Sequence, residues 1–272
     1  MLYRRLEYEL ILRTGMHQEL RIDLATQRAT LNRVHLNQML SLPLWNLLPT
    51  SGESLQFCRS MRNRHREYTR LPLPEISKLE MWASQSTNTV LLIDTHVPMT
   101  AKTFIVDLID LILENGITIV WALRYSDYWY QHIGIVDVIR MLVLQTMQVG
   151  ADQLLDSPFP VTVEQLREAA SLSDWVAILL RLLSNIGHVF IVLDPDLLAY
   201  ATAHERSLTL ELLDMLRLNM SGHFKIVLGM SSVSRTYAEE LESSNSCVKI
   251  HTGNTDWRKP RRQLRARERF RR

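Results

Sequence analysis

The sequence predicts a three-layer α/β fold, with a parallel sheet of about five strands preceded by a helical arm. Three observations carry this. Short apolar runs recur at 90–94, 117–123, 189–194, 224–229 and 247–251. Val90–Ile93 and Val189–Leu193 are apolar at every position rather than alternating, which signals strands buried on both faces. Between them lie segments with helical spacing, at about 101–114, 134–148, 162–170, 172–186, 205–219 and 234–242. Parallel neighbours need crossover connections, and right-handed crossovers place helices on both faces of a sheet.

The first 70 residues read as helix. Leu20, Leu24, Leu31 and Val34 recur at helical spacing among Gln, Asn and Arg. Pro43 and the stretch Pro49-Thr50-Ser51-Gly52 interrupt the arm. A second helix is expected from about Gly52 to Arg66, capped by Ser51 or Ser54. Its end is basic, with Arg59, Arg62, Arg64, Arg66 and Arg70. Leu71-Pro72-Leu73-Pro74 reads as an extended linker, because proline disfavours helix in the residue before it. A short helix over Glu75–Ala83 then leads into the first strand. The expected divisions are a helical arm (1–70), a linker with a short helix (71–89), an α/β domain (90–252) and a disordered basic tail (253–272).

Hydrophobic residues make up 46% of the 272 and charged residues 22%, a balance that suits a packed core. Two cysteines, Cys58 and Cys247, make neither a disulfide framework nor a metal spacing, which points to a reducing, intracellular setting, cytoplasmic or nuclear. The start lacks the uncharged run of a signal peptide, and the apolar runs fall short of the roughly 20 residues that span a bilayer, so no membrane association is expected. The net charge of +2 hides a split. Residues 258–272 hold nine of the 31 Lys and Arg and one of the 29 acids, leaving 22 basic against 28 acidic side chains before them. Such a tail has little to bury and much self-repulsion. Three readings apply to it: a solvated end, an import signal at Arg258-Lys259-Pro260-Arg261-Arg262, or a nucleic-acid contact through Arg258–Arg272 acting by counterion release.

The first strand, its loop and the next helix read Val90-Leu91-Leu92-Ile93-Asp94-Thr95-His96-Val97-Pro98-Met99-Thr100-Ala101-Lys102-Thr103. This layout is that of a nucleotide phosphate-binding loop, G-x-x-x-x-G-K-[ST], with His96 and Ala101 in the two glycine places. In such a loop backbone N–H groups at a helix start wrap the phosphates, and glycine lets the chain turn and approach. Lys102 can still neutralise phosphate, Thr103 can still bind magnesium, and Thr100 and Ala101 supply backbone. His96 adds a ring at the turn, and Pro98 removes one N–H. The strand Val189–Asp194 ends in an acid, Asp194, the candidate second magnesium ligand, and Asp196 is the nearest candidate to orient an attacking water. A strand-loop-helix with a chance Ala-Lys-Thr, and an Asp194 that caps a turn before Pro195, are the structural alternatives. The aromatic stretch Arg124–His132 follows the second strand and could stack on a base, although such clusters more often cover a core edge. Asp107 and Asp110 read as a solvated helix face, and no residue set makes a hydrolase triad or a metal spacing.

The ordered set of Ala101-Lys102-Thr103, Val136–Leu142, Val189–Asp194 and Lys225–Leu228 resembles the NACHT branch of the STAND P-loop NTPases, in the degenerate form found in filamentous fungi. Phe57–Arg64 and Leu71–Pro74 with Lys78, Leu79 and Trp82 resemble the segment before that domain. The resemblance covers roughly 55–250 and implies strand order 5-1-4-3-2, ATP or GTP with magnesium as the cofactor, and an oligomerising scaffold switched by nucleotide. Gly229-Met230-Ser231 stands where the family carries Thr-Ser-Arg, and Arg235 lies too late to replace that arginine. Nothing after about 250 reads as the family's winged-helix lid, so a nucleotide-driven switch is not expected. The leading reading is an NTPase-derived, catalytically inactive scaffold with protein partners or self-association. The alternatives are a weak ATP- or GTP-binding protein, which if active is a weak nucleoside-triphosphatase, and a nucleic-acid binder acting through the tail.

Overall fold

The computed structural model describes residues 2–65, 73–84, 89–94, 98–124, 133–155, 159–194, 197, 224–230 and 247–251. Five strands form one sheet: β1 (Thr89–Asp94), β2 (Ile119–Ala122), β3 (Val189–Leu193), β4 (Phe224–Met230) and β5 (Cys247–His251). Their order is β2-β3-β4-β1-β5, and every pairing is parallel, which is the predicted 5-1-4-3-2. The helices are α1 (Leu2–Leu40), α2 (Ser51–His65), α3 (Leu73–Ser84), α4 (Pro98–Glu114), α5 (Ile135–Val149), α6 (Ala151–Leu155), α7 (Val163–Glu168) and α8 (Leu172–Leu183). The predicted helices at 205–219 and 234–242, and the tail from 253, lie outside the described residues.

Alternate residues of a strand face opposite sides, so the apolar strand runs serve two cores at once. Val90, Leu92, Val120, Ala122, Ile191, Leu193 and Ile226 pack with Ile139, Leu142 and Val143 of α5 and Leu179, Leu182 and Leu183 of α8. Leu91, Ile93, Ile119, Trp121, Val192, Val227 and Ile250 pack with Leu55 and Cys58 of α2, Trp82 of α3 and Phe104, Ile105, Leu108 and Ile109 of α4. The edge strand β2 is protected by a side chain: buried Gln145 of α5 accepts the N–H of Trp121 at 2.8 Å.

The end of α1 belongs to the first core, through Leu36 and Met39, with Leu42 and Trp45 just beyond it. Trp45 Nε1 donates to the Met39 carbonyl at 2.7 Å, and the ring meets Trp175 edge-on with centroids 5.9 Å apart. Asn32 Nδ2 donates to the Leu155 carbonyl at 3.0 Å. Before Asn32, residues 13–31 of α1 are exposed. The exposed stretch 13–31 is 19 residues long and rises about 28 Å.

Several local expectations are corrected. The cap of α2 is Thr50 rather than Ser51 or Ser54: Thr50 Oγ1 accepts the Glu53 N–H at 3.2 Å, and Glu53 Oε2 accepts the Thr50 N–H at 3.2 Å. This reciprocal pair satisfies two otherwise orphaned donors. Leu73 and Pro74 open α3 instead of staying extended, and Pro98 opens α4 three residues before the predicted start. Proline lacks the N–H that a first helical turn leaves unused, and its fixed φ suits that position. At the other end of α4, Gly116 at φ 67° lets the N–H of Ile117 reach the Ile112 carbonyl at 3.2 Å.

Candidate functional site

Parallel strands put all their carboxyl ends on one edge, where ligand sites of open α/β sheets form. Here β4 lies between β1 and β3, so the helix following β1 and the acid following β3 converge on that edge. Asp194 is 2% exposed. Its N–H donates to the Ala122 carbonyl at 2.9 Å, and its Oδ2 accepts the Arg124 N–H at 3.1 Å. Asp194 therefore ties the end of β3 to the end of β2, while the turn at Pro195 lies outside the described residues.

Sequence reasoning missed the side chain that sits among these groups. Cys58, buried on α2, donates its thiol to the Arg124 carbonyl at 3.2 Å. Burial first, and then the charge of Asp194, push that thiol up to about 12, against the opposing pull of Lys102 and Arg124. Asp194, Lys102 and Arg124 thus all lie within electrostatic reach of one sulfur. A lone cysteine carries no spacing signal, so nothing in the sequence marked Cys58.

The helix start decides what this neighbourhood can hold. Ala101 and Thr103 are buried, and Lys102 is half-buried. Because α4 opens at Pro98, Lys102 is its fifth residue. Only the first four N–H groups of a helix, counted from the capping residue before it, lack an internal partner. The N–H groups of Ala101, Lys102 and Thr103 are therefore inside the ladder, and Pro98 has none. Met99 and Thr100 remain as donors. The donor types on the metal side, the Thr103 hydroxyl and the Asp194 carboxylate, suit a hard cation such as magnesium. The phosphate side does not fit a wrapping loop, because residues 98–100 are already helix. Among the described residues no group of three or more His, Cys, Asp and Glu could hold a metal. His96, Asp196, Ser231, Arg235 and residues 125–132 lie outside the described residues, as do the side chains of Thr100 and Met230 and the surroundings of Gly229.

Asp107 and Asp110 are not a bare solvated face. Asp110 Oδ1 accepts from Arg59 Nε at 3.0 Å and Nη2 at 2.5 Å, and its Oδ2 accepts from Arg62 at 2.9 Å. Arg62 also reaches Asp107 at 2.6 Å. This network clamps α2 onto α4 and so fixes Cys58 over the site.

No protein-family model matches the chain, and no curated protein matches it. Among solved structures 17 chains match. One is the Aeropyrum pernix ORC2 protein, determined as ADPNP and ADP complexes, at 14% identity and a TM-score of 0.39. The match covers 72% of this chain and 46% of that one, so this chain spans about half of that protein's length. A likeness at this score carries no argument about the site, and the sheet order above rests on the chain's own strand registers. Among the described residues no helix is long and apolar enough to cross a membrane.

Proposed function

We propose that this chain is an NTPase-derived scaffold that has lost its phosphate cradle, a degenerate NACHT/STAND-type domain working through protein contacts inside the cell. The observation that carries this reading is the helix start at Pro98, which turns the glycine-loop residues 98–101 into a first helical turn. Two N–H donors at a helix end, with Lys102 one turn further in, give little grip on a triphosphate. Asp194 already caps the Arg124 N–H. The exposed apolar side chains of α1 supply the surface for protein contacts.

A second reading, weak binding of magnesium with ATP or GTP, is supported by the common neighbourhood of Lys102 and Asp194 around Cys58. Titration of the full chain with magnesium and ATP or GTP, followed by calorimetry and thermal unfolding, separates the two. The scaffold reading expects no saturable heat and no shift, with Lys102→Ala unchanged. Saturable binding that Lys102→Ala abolishes would replace it with the nucleotide-binding reading. Salt-dependent duplex binding that is lost on deleting residues 258–272 would favour the nucleic-acid reading.

A further inference from the structure

We infer that residues 20–34 of α1 form a parallel two-stranded coiled coil with a second copy of this chain. The inference deepens the scaffold reading by naming the partner. Leu20, Leu24, Gln27, Leu31 and Val34 follow steps of four, three, four and three, the spacing of a heptad seam. The four apolar members are 56%, 64%, 61% and 47% exposed. A helix standing in water without tertiary packing is marginal, and amphipathic packing supplies most helical stability in proteins. Residues 13–31 find no such packing within the described residues.

The seam is open to a partner. The side of α1 that meets the body carries Asn32, Leu36 and Met39. At 100° per residue, the centre of the seam lies roughly 130° around the helix from that side. A two-fold axis along the seam therefore sets the two bodies on opposite flanks. Counting back by the same repeat passes through His17 and Arg13 before reaching Leu10, Leu6 and Tyr3, so the uninterrupted stretch is 20–34.

Charge selects the partner and its direction. With Leu24 and Leu31 at position a, Asp23 stands at g and Arg21 and Arg28 at e. In a parallel pair, g of one helix faces the following e of the other, so Asp23 meets Arg28 twice. In an antiparallel pair, e faces e and g faces g, which sets arginine against arginine and Asp23 against Asp23. The sequence is thus complementary to itself in parallel register. Gln27 at d then faces Gln27 of the second copy, where two amides can bond to each other and fix that register.

The test is sedimentation of the full chain over a range of concentrations. The expected result is a dimer whose dissociation constant rises at least about 100-fold in Leu24→Asp/Leu31→Asp, with the unfolding of the body unchanged because both positions are exposed. Asp23→Arg weakens the dimer, adding Arg28→Asp restores it, and mixing the two single variants gives heterodimers. Gln27→Cys cross-links as a covalent dimer under mild oxidation. A monomer at every concentration overturns the inference, and so does a dimer indifferent to the Leu24→Asp/Leu31→Asp change. A dimer that Gln27→Cys fails to link overturns the parallel register. Nucleotide titration of the same samples keeps the two conclusions apart. A coiled-coil dimer that binds triphosphate through Lys102 sinks the inactive scaffold alone, whereas a monomer that binds none sinks the dimer alone.

Discussion

Asp194 is where the two readings of the site can be separated by substitution. If its task is to cap the Arg124 N–H, an acceptor is enough and the charge is dispensable. Asp194→Asn keeps an acceptor within reach of the 3.1 Å bond and should change stability little. Asp194→Ala strands a partly buried donor, at about 1–3 kcal/mol. For a chain of this size each kcal/mol moves the melting temperature by about 2–4 °C. The alanine variant should therefore melt about 2–12 °C below the parent, while the asparagine variant stays near it. The assay is thermal unfolding by circular dichroism, with and without magnesium. An alanine variant as stable as the parent would refute the capping argument. An asparagine variant as damaged as alanine would show that the charge matters. A magnesium-dependent gain in the parent that asparagine abolishes would return Asp194 to a metal role. One further readout belongs to the same variant: Asp194 raises the Cys58 thiol, so Asp194→Asn should lower the pH at which that thiol titrates.

Burial alone would raise the Glu75 carboxyl, but the His251 N–H at 2.8 Å and Lys78 at 3.0 Å together hold it below the ordinary 4.5. A lowered folded value means stability that is complete above about pH 4.5 and lost as pH falls through the folded value. Glu75→Gln should cost about 1–2 kcal/mol at pH 7 and flatten the acid-side decline in urea unfolding. The same decline in parent and variant would show that another group sets it. With its thiol at about 12, Cys58 is almost wholly protonated at pH 8. In a Cys247→Ser variant, a thiol reagent should label nothing until the chain is unfolded, and rapid native labelling would disprove the burial of Cys58.

Much of the sheet was legible because its physics is local. Val90–Ile93 and Val189–Leu193 are apolar at every step, which only a strand covered on both faces requires. The strand order came from the family resemblance, since no periodicity says which strands are neighbours. The helix start is hard to read for a definable reason: in sequence Pro98 reads as a loop residue that removes a donor, whereas the same missing N–H suits a first helical turn. Asp107 and Asp110 looked solvated because their partners, Arg59 and Arg62, lie on another helix and are brought to them by folding alone. Thr50 and Ser51 are both good cap residues by type, and Glu53 three residues after Thr50 completes the capping box that decides between them. Cys58 was not legible beside Asp194, because α2 reaches the site across space and not along the sequence.

The strand registers also impose a timetable on the nascent chain. β1 has only β4 and β5 for neighbours, so the strand at Thr89–Asp94 waits for residues 224–251 before it can complete its ladder. β2 and β3, with α5 and α8, can assemble much sooner. During synthesis an apolar strand therefore stays without its edges while more than a hundred further residues emerge. Chains stopped short of β4 should for that reason aggregate rather than fold as smaller versions of the whole.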